Sequence, residues 1–151
     1  MAKPFRLQSL LEHKQALEEE CMRVLAEHEL ARRRAVDTLE ILHEAQETQL
    51  RHLEDLARAV RFDAEISRDA TAYLGRIEHS ITVQREALVE AEARVAESRE
   101  ALVEVLKEKR ALERLREQHI ETTAREEGRR EARAVDDITT ARYTRSLQER
   151  E

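Results

Sequence analysis

The chain has 151 residues, 40% of them charged, a formal net charge of −6, two glycines, one proline and no tryptophan. A globule of this length needs turns built on Gly, Pro, Asn and Asp, yet asparagine is absent and the only proline is Pro4, so a many-turn compact fold is excluded. Acids and bases are interleaved, which excludes the basic stripe of a general nucleic-acid binder, and the lone Cys21 excludes an intramolecular disulfide and any zinc site built on cysteines of this chain alone.

The commonest residues are Ala, Glu, Arg and Leu, the composition of long helices. Aromatics make up 3%, too few for a thick core, so a thin interhelical seam is expected. The first element in chain order is a helix over about residues 5–61. Leu7, Leu10, Leu17, Cys21, Val24, Ala31, Ala35, Leu42, Ala45, Leu56 and Ala59 recur at steps of three and four, flanked by Leu11, Leu25, Leu39, Leu53 and Val60. Glu19–Arg23, Glu29–Arg33, Glu47–Arg51 and Glu54–Arg58 are spaced to pair along its exposed face.

The leucines stop over RFDAEISRDA, Arg61 to Ala70, and a turn is expected over about 62–70, with Ser67 and Asp69 as cap candidates. A second helix follows over about 71–146. Its stripe is Leu74, Ile77, Ile81, Leu88, Ala91, Val95, Leu102, Val105 and Leu112. Lys14, His28, Gln49, His52, Gln84, Ser98, Lys109 and Arg116 fall at or near the seam, where polar residues lower stability and set register.

Each helix has one narrow apolar stripe, best buried against the other. The expected fold is therefore all-α: a long antiparallel two-helix coiled coil, a helical hairpin forming a single domain over 1–151, with the second helix longer. A turn centred near residue 66 places the start of the first helix opposite roughly residue 126. The overhang, about 127–146, then has no partner in its own chain and extends on the order of 35 Å as a helix. Gly128 stands where support ends.

No catalytic constellation emerges. Gly75 and Gly128 are isolated, so there is no glycine-rich phosphate loop. Glu40 and His43 have the Glu-x-x-His spacing of carboxylate metal sites, but such sites need further facing ligands in a four-helix frame, and a solvated helix surface is the expected state. His28, His52 and Cys21 read as seam residues. No enzyme activity, metal or cofactor is expected. No signal peptide or long apolar run is present, so no membrane span is indicated and the cytoplasm is the default compartment.

The two ends carry a resemblance. Phe5-Arg6-Leu7-Gln8-Ser9-Leu10-Leu11, followed by Leu17-Glu18-Glu19-Glu20, resembles the start of the FliJ family, components of the bacterial flagellar type III export apparatus. The tail Arg129-Arg130-Glu131-Ala132-Arg133-Ala134-Val135-Asp136-Asp137-Ile138, continuing to Arg142, resembles that family's C-terminal signature of charged residues around an aliphatic–Asp–acidic–aliphatic step. Ala134 stands where a polar residue is common, Asp137 where Glu is usual, and Thr139-Thr140 interrupt the helix-favouring pattern.

The resemblance implies a regulator that sits as a stalk in the hexameric ring of the export ATPase, promotes ring assembly and activity, contacts the cytoplasmic part of the export gate, and binds export chaperones. It implies a cytoplasmic monomer, found at the cytoplasmic face of the inner membrane when assembled. Arg129, Arg130, Arg133, Val135, Asp136, Asp137, Ile138 and Arg142 are the expected ring contacts. Arginines suit bidentate pairing with carboxylates, and Val135 and Ile138 form a small apolar contact. A solvated charged tail is the other reading. Tyr73, Ile77, Ser80 and Gln84 are the expected export-gate contacts; Tyr73 and Ile77 read alternatively as seam residues near the turn. A homodimeric structural coiled coil, or a generic hairpin chaperone, is the alternative of another class.

Overall fold

The computed structural model describes residues 4–148; residues 1–3 and 149–151 of the expected domain lie outside the described residues. Two helices account for nearly all of it: α1, Gln8–Arg58, of 51 residues, and α2, Ala64–Gln148, of 85 residues. Among the described residues there is no strand. The helices pack against each other as a hairpin, α2 being the longer.

The break between helices is shorter and earlier than expected, at residues 59–63 instead of about 62–70. Leu56 is the last half-buried residue of α1, and Ala59, Val60, Arg61 and Phe62 are exposed. With nothing to bury, the β-branched Val60 and the aromatic Phe62 favour leaving the helix. Asp63 then restarts it. Its Oδ1 accepts the N–H of Glu65 at 2.9 Å and of Ile66 at 3.2 Å, and its carbonyl accepts the N–H of Ser67 at 3.1 Å, the bonds that a helix N-cap supplies. Ser67 and Asp69, the expected caps, lie inside α2. Glu65 in the first turn also complements the positive end of the helix.

Burial follows a strict heptad. On α1 every residue of the row Leu11, Lys14, Glu18, Cys21, Leu25, His28, Arg32, Ala35, Leu39, Leu42, Gln46, Gln49, Leu53 and Leu56 is buried or half-buried. The expected flanking leucines are thus true seam positions, while Leu7 and Leu10 remain 38% and 40% exposed and Ala31, Ala59 and Val60 are exposed. The mismatch has a simple cause. Polar Lys14, Glu18, Arg32, Gln46 and Gln49 hold places in the row, so a trace of apolar residues alone drifts onto the neighbouring flank. On α2 the expected stripe is correct, and the row runs from Ser67 through Ala70 and Leu74 to Leu112, His119 and Thr123. His52 and Arg116 are exposed, so they are not seam residues.

The packing divides into two compact units, Glu19–Val103 and Met1–Glu18 with Glu104–Glu151. In the first, Ala35, Ala70, Ile77, Ile81, Val95 and Ser98 are buried. Gln49 Nε2 donates to the carbonyl of Ala70 at 2.9 Å, and Gln84 Nε2 to that of Ala35 at 3.5 Å. The Ser98 hydroxyl lies 2.9 Å from the carbonyl of Arg94 and 2.6 Å from His28 Nδ1, joining the two helices through a hydrogen bond. Arg99 pairs with Glu29 at 3.1 Å. Short Ala31, Ala35, Ala87 and Ala91 leave a cavity of about 400 Å³ between the helices.

In the second unit Leu11, 1% exposed, and Leu112 are the buried apolar side chains among the described residues. Lys14 pairs with Glu108, and Lys109 with Glu18 at 2.5 Å and Glu113 at 3.8 Å. The hydrogen bond that Lys109 donates to Glu18 raises the pKa of its ammonium above the ordinary value. Along α1 itself, Glu54–Arg58 forms as expected at 3.9 Å. Arg23 instead bonds Glu20 and Glu27, and Glu29 crosses to α2.

Candidate functional site

The earlier turn changes what α1 supports. Phe5, just before α1, meets the ring of His119 with centroids 5.7 Å apart at 42°, where the expected register placed it opposite roughly residue 126. From Gly128 to Ser146 every side chain is exposed. Through this exposed run α2 remains helical to Gln148.

A lone helix with few leucines needs local support, and the sequence supplies it. Arg125 pairs with Glu121 at 3.7 Å. Thr139, Thr140 and Thr144 each donate to the carbonyl four residues back, to Val135, Asp136 and Thr140, all at 2.8 Å. Threonine is stiff and β-branched, and this back-bonding lets it sit in a helix without competing for other backbone groups. Thr139-Thr140 therefore do not interrupt α2.

Among the described residues, no ion pair holds Arg129, Arg130, Arg133, Asp136, Asp137 or Arg142. Their charges are available to outside partners. Helical spacing divides the eight expected ring contacts between two sides. Val135, 60% exposed, Ile138, 55% exposed, and Arg142 share one side with Glu131. Arg129, Arg130, Arg133, Asp136 and Asp137 turn away from it.

The second expected surface also divides. Ile77 is 5% exposed and belongs to the seam, and half-buried Gln84 donates across to Ala35. Tyr73, 47% exposed, carries the Arg76 guanidinium 5.6 Å from its ring centroid, and exposed Ser80 donates to the Arg76 carbonyl at 2.9 Å. Seven residues apart, Tyr73 and Ser80 occupy one flank, and Ile77 and Gln84 one seam row. Tyr73 and Ile77 do not form a joint exposed face.

One apolar cluster was not singled out from sequence. Val60, Phe62 and Ile66 stand exposed at the turn, where Phe62, Ala64, Ser67, Arg68, Thr71 and Ala72 line a shallow depression. Sequence spacing places Val60 in the flanking row of the first helix, and Phe62 and Ile66 in the turn.

Glu40 is exposed and His43 half-buried. No group of three His, Cys, Asp or Glu among the described residues is placed to hold a metal ion, and no helix among them is long and apolar enough to cross a membrane.

No curated protein matches the chain at a significant level. The family model of the flagellar FliJ protein matches residues 2–148. With a helical hairpin and a longer second helix beneath that match, the chain belongs to the FliJ family and has a role in flagellar protein export.

Proposed function

We propose that this chain is a non-enzymatic regulator of the flagellar export ATPase, with the overhang of α2 as its docking element. The observation that carries this reading is the run from Gly128 to Ser146, helical, exposed throughout and without ion pairs on its signature charges. One copy enters the hexameric ring asymmetrically. Arg129, Arg130 and Arg133 engage carboxylates, Asp136 and Asp137 engage bases, and Val135 with Ile138 fills a small apolar contact. Binding there promotes ring assembly and ATP turnover at the cytoplasmic face of the inner membrane.

The hairpin links the ring to the export gate and to export chaperones. Of the four expected gate contacts, Tyr73 and Ser80 are the two left on the surface to serve. A scaffold that dimerises through the seam finds less support, because the two helices of one chain already bury that seam against each other.

The test is to add the chain to the purified export ATPase and measure ring assembly and ATP turnover. Stimulation by the full chain, and its loss on truncation after Glu127, is the expected result. No response to the full chain would overturn the reading.

A further inference from the structure

We infer that the overhang is a self-complementary surface on which a second copy of this chain pairs antiparallel. The buried and half-buried side of α2 ends with His119, Thr123 and Glu127. One residue after Thr123, a separate row of alternating four- and three-residue steps begins: Ala124, Gly128, Glu131, Val135, Ile138, Arg142 and Arg145, all exposed. A shift of one residue turns this row by about 100° around the helix from the old seam. The new row does not continue the packing against α1; it is a separate face with no partner in its own chain.

Its composition identifies the occupant. Two overhangs laid antiparallel about the point between Asp136 and Asp137 bring Val135 of each copy against Ile138 of the other. The same register brings Glu131 of each copy against Arg142 of the other. Ala132 of each copy then flanks Thr139 of the other, and Ala134 flanks Ala141, so the helices approach closely. Asp136 and Asp137, central in the sequence of this segment, point away on both sides and do not repel across the contact. Parallel pairing sets Glu131 on Glu131 and Arg142 on Arg142, and the charges reject it. A single register therefore satisfies the apolar pairs, the ion pairs and the small flanks together.

Two Val–Ile contacts and two exposed ion pairs hold such a dimer weakly, with a dissociation constant on the order of 100 μM. Sedimentation equilibrium of the full chain, from about 10 μM to about 1 mM so as to bracket that constant, is the measurement. A monomer–dimer equilibrium is expected, and Val135→Asp is expected to remain monomeric throughout. Glu131→Arg and Arg142→Glu, made singly, turn both attractions into repulsions and weaken the dimer by about tenfold or more. The double variant Glu131→Arg/Arg142→Glu restores the pairing with signs exchanged and returns within about twofold of the natural chain. Circular dichroism of each variant checks that the helix is retained; these side chains are exposed, so folding is not at stake. Any of three results overturns the inference: a natural chain that is monomeric throughout, a dimer indifferent to the single charge reversals, or a double variant that fails to recover.

Discussion

Lys109 shows how a charged residue comes to serve in a coiled-coil seam. Its ammonium, half-buried in the row of α2, reaches Glu18 at 2.5 Å and Glu113 at 3.8 Å. A partly desolvated charge is tolerated only when it is paired, and the hydrogen bond donated to Glu18 lifts its pKa above the ordinary 10.5. A base whose pKa is raised on folding stabilises the fold fully below its unfolded value, and that contribution is lost as pH rises through the folded value. Lys109→Met removes the titration and leaves Glu18 without this partner. The melting temperature of the natural chain is therefore expected to exceed that of Lys109→Met at neutral pH. The difference narrows above pH 10.5. Thermal melts of both chains across that range check it, and a gap independent of pH refutes the assignment.

Among the elements, α2 has two kinds of support. Up to Glu127 it has buried or half-buried side chains; beyond, it relies on backbone bonds, threonine back-bonding and intrinsic propensity. Gly128 lies in the second part, in ordinary helical backbone, since no glycine has positive φ, and a Cβ added there meets nothing within 4 Å. Nothing in the local geometry requires glycine. Gly128→Ala is expected to stabilise the overhang helix by about 1 kcal/mol, the difference in propensity. Amide exchange over residues 124–134 is expected to slow by about fivefold, with the melt of the hairpin unchanged. Faster exchange, or a lowered melt, would show that the position is strained or packed in a way the backbone does not reveal.

At the scale of the whole molecule, stability and binding are assigned to different residues. The buried apolar side chains are Leu11 and Leu112 in one unit, and Ile77, Ile81 and Val95 among those of the other. The segment after Glu127 contributes no buried side chain among the described residues. Truncation after Glu127 is therefore expected to shift the melting temperature by no more than a degree or two, since surface changes are usually worth within about 0.5 kcal/mol. The same truncation removes the surface assigned to the ATPase ring and to self-pairing. A large fall in melting temperature would mean that the tail folds back onto the hairpin.

The sequence by itself determined the helical state and the hairpin. Scarce turn residues leave one place to reverse, and two narrow stripes have only each other to cover. It also determined the seam of α2, where apolar residues occupy nearly every place in the row. The row of α1 was only partly legible, because Lys14, Glu18, Arg32 and Gln46 stand in the seam and periodicity is read from apolar residues. The tertiary structure decided the rest. Sequence spacing pointed to Ser67 and Asp69 as caps, whereas the half-buried row of α1 ends at Leu56 and Asp63 caps α2. The turn at 59–63 reset which residues face each other, and Phe5 meets His119. For the same reason sequence spacing grouped Tyr73 with Ile77, whereas packing assigned Ile77 to the seam and left Tyr73 outside. Which flank of a helix faces its neighbour depends on register, and register is fixed only when both helices are in place.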